Sequence, residues 1–307
     1  MKKRHRIRLS AVFAMLIAAA CSPSSATFNS AAYAQEVLEW RDWRLANLKD
    51  PGGYLNQIGL FWLEPGSYTF GSDPSNDVIF TVGAPQIGTF IVTASGVAMK
   101  VAEGVEVMSG GISVEEIDIP SDVSGNGIMV THGTLGWTVI DRVGRFAVRL
   151  RDFEHPFVDT FGPLPYYDID PALRVTATLH RYEEPRIASV ATVIDGLDYQ
   201  PEVPGVVRFD IDGESFELEA YVAGDQFFYV FGDQTNRDDT YGAGRFLYSD
   251  IPGEDGVTVL DFNKSYSPPC AFNDFATCPI ASPRNRLPVR VEAGEKFDAQ
   301  FHYSPAH

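Results

Sequence analysis

Cysteine is scarce in this chain, with three among 307 residues. That excludes a small scaffold held by several disulfides. It also excludes a zinc ribbon, which needs four ligands in closely spaced pairs. Positive charge is scarce too: 24 Lys and Arg stand against 41 Asp and Glu, a formal net charge of −17. Affinity for nucleic acid rests mostly on Lys and Arg against phosphates, so no nucleic-acid partner is expected. An acidic folded face is equally ill suited to anionic lipid. Long apolar runs are missing as well. The run from Ala11 to Ala20 is about half of the roughly 20 residues that cross a bilayer.

The familiar catalytic signatures are absent. The chain has no G-x-S-x-G elbow, no phosphate-cradling G-x-x-x-x-G-K and no G-x-G-x-x-G. Its six histidines are scattered, without a pair at metal-ligand spacing. The acidic stretch DQTNRDDTYG from Asp233 breaks the calcium-loop rhythm, because Thr235 and Arg237 stand where carboxylates are needed. No metal and no cofactor is expected, and no catalytic residue is identified by motif.

What is present is a globular, aromatic-rich composition, 45% hydrophobic and 12% aromatic, which leans towards β-structure. The first 21 residues combine a basic start, a short apolar core and Cys21. Residues 1–20 are expected to be a signal peptide, with Ala18-Ala19-Ala20-Cys21 as a lipobox-like site and Cys21 as the lipidated residue. The rival is cleavage after Ala34, in the A-x-A pattern Ala32-Tyr33-Ala34. The expected location is the periplasmic side of the cell envelope, lipid-anchored to the membrane, or otherwise periplasmic or secreted. Residues 21–34 read as a flexible tether.

Residues 35–303 read as one β-rich domain, with a division into two lobes near residues 155–172 as the alternative. Val37, Leu38, Trp40, Leu45 and Leu48 fall near helical spacing, and Asp50-Pro51-Gly52-Gly53 ends that run. Beyond Tyr54 the pattern is β: short apolar or alternating runs broken by Gly, Pro, Asn and Asp. The expected fold is mainly β, an N-terminal helix followed by a sandwich or barrel-like body.

In GRFAVRLRD, alternation puts Phe146, Val148 and Leu150 on one strand face and Arg145, Arg149 and Arg151 on the other. Arginines in such a row repel one another unless something anionic compensates. The plainer expectation is a cross-strand ladder with Asp and Glu, and the alternative is bidentate capture of a carboxylate or phosphate. In RVTATLHRY, Arg174, Thr176, Thr178 and His180 share a polar face.

Residues 261–296 are dense in polar and rigid groups. Cys270 and Cys278 are separated by seven residues, and in an exported protein a disulfide is the expected state. Closing so short a loop would stabilise the fold by roughly 2–3 kcal/mol on the chain-entropy model. Asp261 and Asn263 share a face opposite Phe262, with Glu295 or Asp233 as neighbouring carboxylates. Such groups serve equally as a buried network or as a site.

The segments FGDQTNRDDTYGAGRFLY, LDFNKSYSPPCAFNDFATCP and NRLPVRVEAGEK resemble the C-terminal block of the bacterial and archaeal family catalogued as domain of unknown function 1684. The resemblance extends over roughly Trp40 to Lys296. It implies no activity. It implies a shared site among Asp233, Thr235, Thr240, Tyr241, Gly244 and Arg245 in one block. The next block would add Asp261, Asn263, Tyr266, Pro268, Cys270, Cys278, Asn285 and Glu295. Ser267 and the charged Arg237-Asp238-Asp239 depart from the family's pattern.

The leading expectation is a small anionic ligand held by Arg149, Arg151 and Arg245, with Asp261, Asn263 and Tyr241 orienting it. The alternative is a metal-independent hydrolase, with Asp261 or Glu295 as general base and Arg245 stabilising negative charge. A third reading is a structural envelope scaffold.

Overall fold

The computed structural model describes residues 28–304. The expected signal peptide and Cys21 lie outside those residues, as does the first half of the expected tether, while residues 30–34 of that tether belong to the first helix. The fold is mainly β, with one N-terminal helix and several sheets.

Helix α1 (Ser30–Lys49) starts where the Asn29 side chain accepts the Ala32 N–H at 3.2 Å, an N-cap. It stops before Pro51-Gly52-Gly53. A side chain at Gly53 would press on the carbonyls of Asn47 and Leu48. The stripe α1 buries is Tyr33, Val37, Arg44 and Leu48. The apolar spacing in the sequence pointed to a different set, and Leu38 is in fact exposed. The surface beneath the helix is partly polar, so the face is selected by partners for Tyr33 and Arg44 as much as by apolar area.

The first half of the chain forms β1 (Gln57–Leu63), β2 (Gly66–Gly71), β3 (Val78–Ile79), β4 (Gly88–Thr93), β5 (Gly96–Val101) and β6 (Met108–Ser109). It continues with β7 (Ile112–Ser113), β8 (Glu116–Ile119), β9 (Val130–His132), β10 (Leu135–Arg142) and β11 (Arg145–Asp152). Two sheets result, ordered β1-β11-β10-β9-β6-β7 and β3-β2-β4-β5-β8. They enclose a common core of Phe70, Phe90, Trp137, Val148 and Leu150. Phe70 stacks on Phe90 at 3.9 Å between centroids, and Trp137 meets Phe70 edge-on.

A connection through the short helix α2 (Pro156–Thr160) leads to the second half. This comprises β12 (Arg174–Ile187), β13 (Val190–Ala191), β14 (Asp198–Tyr199) and β15 (Glu202–Ile211). It then adds β16 (Glu214–Ala223), β17 (Gln226–Phe231), β18 (Arg245–Asp250) and β19 (Val257–Asp261). The sheet order is β18-β17-β16-β15-β12-β19. Its end strands come side by side, with the Thr258 hydroxyl donating to the Asp250 carbonyl at 2.8 Å, so the sheet is an almost closed barrel. Inside it lie Leu218, Tyr229, Phe231, Leu260 and Phe262. Arg174, Thr176, Thr178 and His180 face outwards.

Strand β15 runs through Pro204 and Gly205, a pair that reads as a breaker. It survives because the β12 partner shifts register there, from Arg181↔Gly205 to Arg186↔Val203. A bulge is where a strand tolerates proline. Gly205 is required because a Cβ would run into the His180 carbonyl.

After β19 the chain is a series of short 3-10 turns that packs against α1 and both sheet systems. Ala271 and Phe272 join Leu48, Leu55, Phe161 and Leu164 in one cluster.

Candidate functional site

Strand β11 alternates as its sequence predicts. Val148 and Leu150 enter the core of the first half, while Arg149 and Arg151 point towards the C-terminal segment. Arg149 is 8% exposed and Arg151 6%. The expected ladder of acidic partners is absent. Opposite Arg149 stand Leu60 on β1 and Thr138 on β10, and opposite Arg151 stand Gln57 and Gly136. None of these can neutralise a guanidinium.

Among the described residues neither arginine forms an ion pair. The only side-chain hydrogen bond either donates among the described residues runs from Arg151 Nη2 to the Gly52 carbonyl at 3.3 Å. Arg149 Nε, Arg151 Nε and Nη1, and both amide atoms of Gln57 are buried without a partner. Each such group costs about 1–3 kcal/mol, and more when charged. Burial lowers the Arg149 pKa, and the Tyr54 phenol opposes this. Arg151 is brought down to about 10, by burial first and then by the like charge of Arg149. Both directions report positive charge that lacks a counter-charge.

Arg149 opens onto a cleft of about 380 Å³ between β11 and the C-terminal segment, lined also by Tyr54, Arg142, Tyr199, Thr277 and Cys278. Arg142 is held at its rim by Asp122 at 2.8 Å and by donating from Nε to the Thr277 hydroxyl at 3.2 Å. A neighbouring hollow of about 360 Å³ shares Arg142, Tyr199, Thr277 and Pro279 with it.

The remaining candidates lie elsewhere and serve as latches. Arg245 is fully buried and ion-paired to Asp233. It also donates to the Val291 carbonyl at 2.8 Å and to the Ala293 carbonyl. Asp233 in addition accepts the Thr235 N–H at 2.6 Å. Tyr241 donates to the Cys270 carbonyl at 3.0 Å. Asn285 clamps Glu219, accepting its N–H at 2.8 Å and donating to its carbonyl at 3.1 Å. Glu295 accepts from Arg44 Nε at 3.2 Å and from the Ser267 N–H at 3.1 Å. Burial raises its pKa, and those two partners pull it back.

Asp261 accepts the Tyr33 hydroxyl at 2.7 Å, and Asn263 donates to that hydroxyl at 2.8 Å and to the Asp170 carbonyl at 2.7 Å. So Arg245, Asp261, Asn263 and Tyr241 do not gather around Arg149 and Arg151.

Cys270 and Cys278 are two buried free thiols here, a correction to the expected disulfide. The Cys270 N–H donates to Cys278 Sγ at 3.2 Å. Burial and the neighbouring Cys270 push the Cys278 thiol well up. Both sit in an apolar cluster with Val190, Tyr221 and Phe246, where a neutral thiol is the stable form.

Sequence reasoning missed Gln57, Tyr54, Arg142, Arg44 and Tyr33. Gln57 carried a signal: it is the one polar residue inside the apolar run QIGLFWL. Tyr33 had been assigned to the tether.

Residues 159–296 match the model of a family described as "Protein of unknown function (DUF1684)". None of the curated proteins matches the chain. Among solved structures, the solution structure of an uncharacterized protein from Haloarcula marismortui is 34% identical, covering 46% of this chain and 79% of that one, with a TM-score of 0.39. The matched segment contains every latch residue from Asp233 to Glu295, while Arg149 and Arg151 precede it.

Proposed function

The chain belongs to the DUF1684 family, which carries no assigned activity, and from that premise we propose that it binds a small anion in the cleft beside Arg149. The observation that carries this reading is the uncompensated charge of Arg149 and Arg151, buried beside the unpartnered Gln57 amide. Buried charges are ordinarily paired, and an unpaired one held in a cleft is supplied by a ligand. A guanidinium offers planar, bidentate donors that fit a carboxylate or a phosphate. Arg149 takes the anion directly, Arg142 and Thr277 bound its far side, and the charge of Arg151 raises the local potential.

The hydrolase reading has less support. Glu295 is occupied by Arg44, and Asp261 is held through Oδ1 by Tyr33 and lines the cleft beside α1 rather than the one beside Arg149.

The envelope location is part of the same proposal. It rests on the basic start, short apolar run and Cys21 of the N-terminal sequence, and the choice of cleavage site rests on Tyr33, which is 5% exposed and bonded into the domain. Cleavage after Ala34 would remove it, so processing at Cys21 fits the fold better.

The test is thermal unfolding of residues 22–307 with inorganic phosphate, citrate and acetate, for wild type and Arg149→Ala. An anion at about 100 times its Kd adds about 2.7 kcal/mol. The melting temperature of wild type rises with at least one anion, and that of Arg149→Ala does not. An equal rise in both proteins would overturn the assignment.

A further inference from the structure

A second cleft, of about 420 Å³, lies between α1 and the outer face of β18 and β19. Its size falls within the roughly 300–1,000 Å³ of small-molecule sites. Its walls are aromatic. Trp43 and Trp40, one helical turn apart, stand with ring centroids 6.4 Å from each other. Trp40 meets Tyr266 at 6.2 Å, and Tyr266 lies nearly parallel to Tyr248 at 6.5 Å. Trp43 is 57% exposed and Tyr248 40%. Rings this large are rarely left open to water without use, and here they line a concave surface rather than lying scattered.

The polar groups between the rings are of mixed kind. Arg174, Gln226 and Asp250 line the cleft, and their side chains hold no hydrogen bond or ion pair among the described residues. They offer a donor, a donor–acceptor and an acceptor respectively. Glu36 and Lys264 pair with each other at the cleft's edge, and Asp261 adds one carboxylate beyond Arg174 and Asp250. A site built this way disfavours an anion. It fits a ring with C–H faces to lay on the electron-rich faces of Trp43 and Tyr248, and hydroxyls that both donate and accept at its rim.

We propose that this cleft is a binding site for a neutral saccharide, distinct from the anion cleft and separated from it by Tyr248, which borders both. Trp43 and Tyr248 stack on the sugar, and Asp250, Gln226 and Arg174 read its hydroxyls.

Calorimetric titration of residues 22–307 with chitotriose and with maltotriose tests this. Saturable binding of at least one trisaccharide is expected. Trp43→Ala and Tyr248→Ala each weaken it tenfold or more, and Asp250→Asn weakens it severalfold. Arg149→Ala binds the sugar as wild type does, which separates this site from the anion cleft. Trp43 and Tyr248 are exposed, so the variants keep their fold, and circular dichroism checks that. No saturable heat with either sugar at millimolar concentration would overturn the proposal. Binding that survives Trp43→Ala unchanged would overturn it as well.

Discussion

Tyr33, near the start of the described chain, donates its hydroxyl to Asp261 at 2.7 Å across 228 positions. Asn263 donates to the same hydroxyl, so three side chains share one closed network. Tyr33→Phe leaves the Asp261 carboxylate and the Asn263 amide each short of a partner. It is expected to cost about 1–3 kcal/mol in urea unfolding. A chain beginning at Gln35 loses the ring as well and unfolds earlier still. Mass spectrometry of the protein isolated from its native cells is expected to find an N-terminus that retains Tyr33.

Arg149 and Arg245 are both buried arginines with opposite expected behaviour. Arg245→Met strands the Asp233 carboxylate inside the fold and is expected to cost about 3–5 kcal/mol. Arg149→Met removes a buried charge that has no partner, so it is expected to be neutral or stabilising in the absence of anions. Urea denaturation of the two variants side by side distinguishes a latch from a ligand group.

Alkaline pH is expected to destabilise the fold. The phenols of Tyr33, Tyr166 and Tyr241 are held well above the ordinary tyrosine value, in each case by burial first. The second cause is Asp261 for Tyr33, Glu295 for Tyr166 and Cys270 for Tyr241. The unfolded chain releases these protons near pH 10, while the folded chain keeps them. Stability from these groups is therefore complete below about pH 10 and declines above it. Urea midpoints at pH 9 and pH 11 would show the fall, and Tyr33→Phe would reduce its slope.

In the reduced protein, Cys278 is expected to resist alkylation by iodoacetamide at neutral pH, because its thiol is buried and pushed well up. Labelling becomes rapid in urea. Mass spectrometry of native and unfolded samples gives the ratio directly, and equal rates would contradict the buried position.

Much of the architecture was legible because alternation is a local signal. The inward face of β11 could be read from Phe146, Val148 and Leu150 alone. Strand β15 was not legible, since Pro204-Gly205 reads as a break until the β12 bulge opposite is known. The site was half legible. The arginine face stands in the sequence, but its lack of acidic partners depends on Gln57, Leu60, Gly136 and Thr138 arriving beside it from other strands. Likewise, Asp233 looks like a free carboxylate until Arg245 folds against it. Whether a polar residue is spent on the fold or left for a ligand is set by long-range pairing.

The Arg44–Glu295 ion pair closes a loop of 251 positions. It places helix α1 under the control of a segment that follows every strand of the domain in sequence. A nascent chain that lacks residues beyond β19 has neither the carboxylate for Arg44 nor the Phe272 ring that packs with Leu48. Helix α1 can therefore dock only after synthesis of the domain is nearly complete. Contacts this distant in sequence must overcome loop-closure entropy before they stabilise anything. Docking of α1 is thus expected to be a late, slow phase of refolding, with the chain remaining open at its N-terminal end until the C-terminal segment arrives.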